Sequence, residues 1–192
     1  MAVAARKHLE FEEYLALERA ATIRHELVKG EALAMVRASR RHNRLVTNLV
    51  MALGPQLRGG PCELYVSDMR VRAAAAGLVA YPDAVVACGE RRFHDEEADT
   101  LLDASLIVEV LSRTTADFDR GTKFAAYRTL PSLADYLLVA PEAMHVEHFS
   151  RQEDGSWRLV EVAGRDATLD FPSIGCRLSL SELYDQLLTE TG

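Results

Sequence analysis

Two acidic residues stand where acids are costly. Glu109 lies in the run SLIVEVLS, residues 105–112, between Val108 and Val110. The run reads as a strand buried on both faces. A bare carboxylate there costs several kcal/mol even after relaxation. A proton, a lysine or arginine, or a metal ion must offset that cost. Asp83 stands in YPDAVVA, at the start of the preceding apolar strand. Two neighbouring strands would then each bring a carboxylate to one region of a sheet. Such a pair can hold Mg²⁺, which takes one or two carboxylates together with waters and substrate phosphate oxygens. Each acid also has a plainer reading: a buried ion pair for Glu109, a turn for Pro82-Asp83.

The elements that must carry these acids follow from periodicity. LEFEEYLALERA, residues 9–20, has helical spacing. RHELVKGEALAMV, residues 24–36, reads as a hairpin turning at Lys29-Gly30, where glycine supplies a positive φ. Ser39 can cap a helix RRHNRLVTNLVMALGPQL with Leu45, Leu49, Ala52 and Leu53 on one stripe, ending near Gly54-Pro55 or shortly after. CELYVSDMRVRA (62–73) is one bent strand or two, and LVAYPDAVVAC (78–88) holds another, with Pro82 at or before its start. After SLIVEVLS, the segment TTADFDRGTKFAAYRTLPS reads as a helix, with Asp117 or Asp119 as its cap and Pro131 beyond its end. ADYLLVAP (134–141) is a buried strand, and MHVEHFSRQEDGSWRLVEV (144–162) is a hairpin turning at Asp154-Gly155. The tail LSLSELYDQLL is a short helix. Strands cluster in the middle with helices on either side. The expected fold is α/β, a single mixed β-sheet flanked by helices.

In this order, PD at residues 82–83, EVLS at 109–112 and DRGTKFAAY at 119–127 resemble a bacterial restriction endonuclease family of the PD-(D/E)XK nuclease superfamily. The resemblance also takes in EYL (13–15), RHELVKGE (24–31), SRRHNRLV (39–46), YVSDMRVR (65–72) and YRTLPSLADYLLV (127–139). It implies one nuclease-like domain over residues 1–192, with its core at about 10–185. It implies Asp83 and Glu109 as ligands of Mg²⁺, with Mn²⁺ able to substitute, and hydrolysis of phosphodiester bonds, in double-stranded DNA above all. The superfamily's usual lysine lies two residues after the acid. Leu111 stands there in this chain. The resemblance implies that Lys123 replaces it from the following helix, which folds back over the sheet. An upstream acid often assists in this superfamily, and Glu26 is the residue so placed. His42 is a further candidate for contact with phosphate or metal.

Composition bounds these readings. The chain has 192 residues, 48% apolar and 27% charged, with a net charge of −7. That argues against a basic coat for nucleic acid, yet leaves room for a local patch. Between Glu31 and Glu63 no acid occurs, while Arg37, Arg40, Arg41, Arg44 and Arg58 do. Arg40, Arg41 and Arg44 fall in the first turns after Ser39, where helix N–H groups also attract phosphate. They are the candidate nucleic-acid contacts. The acidic stretch 89–103 reads as a solvated loop. Cys62, Cys88 and Cys176 are far apart, with no CxxC pair, so no disulfide framework or cysteine zinc site is expected, and a reducing cytoplasm fits. No apolar run approaches a membrane span, and MAVAARKHLEFEEYL lacks the apolar core of a secretory signal. GxSxG, HExxH and Gly-rich phosphate loops are absent. His145 and His148 fall on opposite strand faces and make poor joint ligands. Cutting a duplex on both strands favours a homodimer. The competing expectation is a catalytically inactive member of the fold that binds DNA or protein.

Overall fold

The computed structural model describes residues 8–35 and 38–187. Arg37 and residues 1–7 of the N-terminal segment read for a secretory signal lie outside them, as do Val36 of the expected hairpin and Leu188 of the expected tail helix. Helix α1 (Phe11–Ala20) leads into the hairpin of β1 (His25–Val28) and β2 (Glu31–Ala34). The turn is where the sequence places it: Lys29 has φ 49° and Gly30 φ 86°. A side chain on Gly30 would also strike the His8 ring. Helix α2 (Arg40–Leu57) starts at Ser39, whose side chain accepts the His42 N–H at 3.2 Å. Leu45, Leu49, Leu53 and Leu57 form its buried stripe, each contributing about 1.5–3 kcal/mol by burial. Pro55 falls in the last turn and the helix stops two residues later.

The expectation of a single sheet is corrected here. The described residues form three: one of five strands, one of six and one of two. The reason lies in two segments, 62–73, which reads as one bent strand or two, and 78–88, which reads as holding one. The first splits into β3 (Cys62–Val66) and β4 (Arg70–Ala73), broken at Ser67, which adopts φ 54°. After a 3₁₀ turn at Ala74–Ala76, the second splits into β5 (Leu78–Ala80) and β6 (Ala84–Cys88), broken at Pro82, which has no N–H to give to a ladder. β4 and β5 join the hairpin and β7 (Thr100–Leu101) in the five-stranded sheet, ordered β2-β1-β5-β4-β7. β3 and β6 join β8 (Leu106–Val110), β9 (Asp135–Val139), β10 (His145–Arg151) and β11 (Trp157–Ala163), ordered β11-β10-β9-β8-β6-β3. The chain thus crosses between sheets at residues 81–83, and Asp83 lies on the crossing.

Between β8 and β9 runs a helical stretch built from α3 (Ala116–Phe118), a π turn (Asp119–Lys123) and α4 (Phe124–Tyr127). The Phe124 N–H reaches the Asp119 carbonyl five residues back, the bond that defines a π turn. Thr115, not Asp117 or Asp119, takes the cap position. Strands β12 (Thr168–Phe171) and β13 (Cys176–Ser179) pair with each other and precede α5 (Leu180–Leu183).

Alternation along the six-stranded sheet sorts its side chains into two cores. Ala84, Val86, Leu106, Val108, Leu137 and Val139 pack against α2, β12, β13 and α5. Val85, Ala87, Ile107, Tyr136 and Leu138 pack toward the five-stranded sheet and the 116–127 helix. Glu109 shares the second face by its parity with Ile107. Two further expectations change. The acidic stretch is not merely solvated: it contains β7, Asp99 pairs with Arg19 and Arg70, and Asp103 pairs with Arg92. Cys62 and Cys88, opposite each other in the β3–β6 register, form a disulfide. A spacing of 26 residues could not reveal that they face each other. The bridge removes the cysteine argument for a reducing compartment. Among the described residues no helix is long and apolar enough to cross a membrane.

Candidate active site

Register places the two acids. Ala84 pairs with Val108 in the antiparallel β6–β8 ladder, so the next step along sets Asp83 opposite Glu109. The ladder continues through the Asp83 side chain, whose Oδ2 accepts the Val110 N–H at 2.7 Å. Residues opposite one another on one face have Cβ atoms about 4.5–5.5 Å apart. Both acids line one cavity of about 340 Å³ between the two large sheets.

Glu26, His42 and Lys123 line the same cavity, so five of the candidate residues meet there. Glu26 comes from β1 of the facing sheet. Its neighbour Leu27 packs outward with Tyr14 of α1, which turns Glu26 inward. His42 comes from the first turn of α2, with Nε2 2.6 Å from Asp83 Oδ1. Lys123 comes from the π turn, and its amine lies 2.8 Å from Glu26, 3.1 Å from Glu109 and 3.5 Å from Asp119.

None of the three arginines lines this cavity. Arg41 pairs with Glu142. Arg40 and Arg44 line a separate cavity with Asn43, Thr47 and Gln186.

The electrostatics are those of crowded carboxylates around one ammonium. Glu109 is 4% exposed, Asp119 2% and Lys123 5%. Burial pushes the Glu109 carboxyl well above the ordinary carboxylate range. Lys123 opposes this, and Asp119, Asp83 and Glu26 add to it. Burial likewise raises Asp119, against the pull of Lys123 and Thr115. For Lys123, burial disfavours the charge, but Glu109, Glu26 and Asp119 outweigh it, and the amine is held protonated. The Tyr127 hydroxyl donates to Glu109 Oε1 at 3.2 Å.

Asp119, Tyr127 and Tyr81 are site residues that sequence reasoning missed. Asp119 and Lys123 are four apart, which alone hints at a shared face. Tyr81 precedes the Pro-Asp pair. Its N–H donates to Glu26 Oε1 at 3.3 Å, and its hydroxyl donates to Glu18 Oε1 at 3.0 Å and accepts from Arg70 Nη1 at 3.2 Å. Burial pushes that hydroxyl up to about 12. Arg70 pairs in turn with Asp99. This chain of contacts fixes the crossing segment from the side of the five-stranded sheet.

The donor set suits a hard cation. Its free chemistry is carboxylate oxygen, and Asp119 Oδ1 is buried with no hydrogen-bond partner. Among the described residues no three His, Cys, Asp or Glu side chains form a ready-made chelate. A cation of the Mg²⁺ type needs only one or two carboxylates and completes its shell with water and substrate oxygens.

Comparison with known proteins gives the family and the fold. Residues 11–181 match the Uma2 family, whose description is "Putative restriction endonuclease". An uncharacterized protein of Synechocystis sp. is 39% identical over 171 residues, covering 89% of this chain and 97% of the relative. A second from the same organism is 32% identical over 173 residues, covering 90% of each. A crystal structure described as a putative nuclease belonging to DUF820, from Anabaena variabilis, superposes with a TM-score of 0.72 at 17% identity, covering 94% of this chain and 99% of the other. The fold is therefore that of a restriction-endonuclease-like nuclease. The chain belongs to the Uma2 family.

Proposed function

We propose that the protein is a Mg²⁺-dependent endonuclease that hydrolyses phosphodiester bonds in nucleic acid, with double-stranded DNA as substrate and a homodimer as the working form. Mn²⁺ is expected to substitute for Mg²⁺. One observation carries the reading: Asp83 and Glu109, opposite in register, open with Lys123 onto a single cavity. Asp83 and Glu109 would hold the cation, which when bound lowers the pKa of a water and polarises the phosphoryl group. His42 and the Val110 N–H fix the two Asp83 oxygens, and Tyr127 orients Glu109. The protonated Lys123 amine supplies fixed positive charge beside the carboxylates, where negative charge develops on the phosphate. Leu111, at the superfamily's usual lysine position, is apolar and buried and takes no part.

The test is cleavage of plasmid DNA with Mg²⁺ or Mn²⁺ by the wild type and by Asp83→Ala. Cleavage by the wild type alone is expected; equal cleavage by both overturns the assignment. A second reading, a binding protein without turnover, draws support from the commitment of Lys123 to three carboxylates. Calorimetric titration with Mn²⁺ separates the two. Heat of binding that Asp83→Ala abolishes favours the nuclease, and its absence from the wild type favours the binding protein.

A further inference from the structure

The six-stranded sheet ends in an open edge. β11 has 7 residues, more than any other edge strand among the described residues, and it pairs with β10 one to one, without a bulge. Proteins blunt their sheet edges with short strands, Pro, Lys or a bulge. WRLVEVA has none of these. Its backbone groups divide by parity. The Gln152 N–H donates to the Ser156 carbonyl and the Gly164 N–H to the Met144 carbonyl, so the even-numbered residues between them bond inward to β10. Trp157, Leu159, Glu161 and Ala163 then aim their N–H and C=O groups outward. Among the described residues those groups make no hydrogen bond. Leu159, in the middle of the edge, is apolar and 47% exposed.

A second copy of the chain fits this edge. Two antiparallel strands related by a two-fold axis pair only where outward residues meet outward residues. The axis can then fall on residue 158, 159, 160 or 161. At 158 it sets Arg158 against Arg158, and at 161 it sets Glu161 against Glu161; like charges directly opposed destabilise a sheet. At 160 it sets Leu159 against Glu161 of the second copy, an apolar side chain against a carboxylate. At 159 it sets Leu159 on Leu159, beside the aromatic row of Phe124, Phe149 and Trp157. In that register Trp157, Leu159 and Glu161 face Glu161, Leu159 and Trp157 of the second copy, each pair exchanging two N–H···O=C bonds, about six in all.

We infer that two copies of the chain join edge to edge through β11, antiparallel, with the two-fold axis at Leu159. The inference rests on the homodimer reading of the working form and gives that dimer its surface and register. No residue of β11 lines the Asp83 cavity, so the pairing leaves both sites uncovered.

Sedimentation velocity of the full chain at tens of micromolar tests it. The wild type is expected at twice the 21.3 kDa of the chain. Leu159→Lys, which sets two ammonium groups against each other at an exposed position, should sediment as the monomer while melting like the wild type. Leu159→Cys should give a covalent dimer on oxidation, because residues paired across hydrogen bonds have Cα atoms about 5.5 Å apart, within disulfide reach. Glu161→Cys should not, since its counterpart lies four residues further along the strand, about 13 Å away. A monomeric wild type, or a dimer that Leu159→Lys leaves whole, overturns the inference. Cross-linking through Glu161→Cys and not through Leu159→Cys overturns it too. If plasmid stays intact but Leu159→Lys splits a dimer, the nuclease reading fails and the interface stands. If plasmid is cut by a monomeric wild type, the interface fails alone.

Discussion

Lys123→Met asks whether the lysine is the electrostatic keystone of the cavity. Its side chain is almost fully buried and its amine meets Glu26, Glu109 and Asp119 at 2.8, 3.1 and 3.5 Å. Methionine fills most of the same volume, so the cavity left behind is small and the packing loss minor. The charge loss is not minor. Three carboxylates would face one another without a cation, and removing one partner of a buried ionic cluster costs about 3–5 kcal/mol. In a chain of this size each kcal/mol moves the melting temperature by about 2–4 °C. The expected fall is therefore about 6–20 °C, read by circular dichroism melts in EDTA at neutral pH. Glu26→Gln in the Lys123→Met background should recover part of it by withdrawing one negative charge. A fall under about 1 kcal/mol, or no recovery in the double variant, would mean that the amine is an ordinary solvated lysine and that the site's electrostatics are misread.

Two further outcomes follow from the same contacts. Mn²⁺ should raise the wild-type melting temperature, since a ligand bound only by the folded state at one hundred times its Kd adds about 2.7 kcal/mol; differential scanning fluorimetry should show the shift, and Asp83→Ala should lack it. Asp99 supplies the pH dependence. Burial alone would raise its carboxyl, but hydrogen bonds from Arg19 and Arg70 outweigh that and hold it well below the usual carboxylate range. Its stabilising contribution is thus present above the unfolded carboxylate value, about 3.9, and is lost as pH falls through the lower folded value. Asp99→Asn, which strands the buried Arg70, should cost about 3 kcal/mol at pH 7. The deficit should shrink in acid; urea midpoints at pH 7 and pH 3 would check this, and an equal deficit at both would refute it.

What could be read without coordinates divides along a physical line. Strand alternation is local, and it sets Glu109 on the face of Ile107, where Tyr127 of the same core meets it. Helix capping is local too, and Ser39 does start α2. Which sheet a strand joins is not local. Residues 62–73 read as one bent strand or two, and 78–88 as holding a single strand near Pro82, because their apolar runs are separated by only a few residues. The signals that divide them are single residues, Ser67 with its positive φ and Pro82 with its missing N–H. That division makes the site. Were 78–88 one straight strand, Asp83 would sit mid-ladder in one sheet, and Glu26 in the other sheet could not share its cavity. Asp119 shows the opposite limit. Its sequence context marks it as a helix cap or as part of DRGTKFAAY, not as a cavity residue, and the π turn that turns it and Lys123 inward depends on packing: the Asp119 carbonyl accepts from the Phe124 N–H and, at 3.0 Å, from the Tyr136 hydroxyl. The widened winding at Asp119–Lys123 thus sets the Lys123 amine 3.1 Å from Glu109, bringing a positive charge to that carboxylate from a different element of the fold.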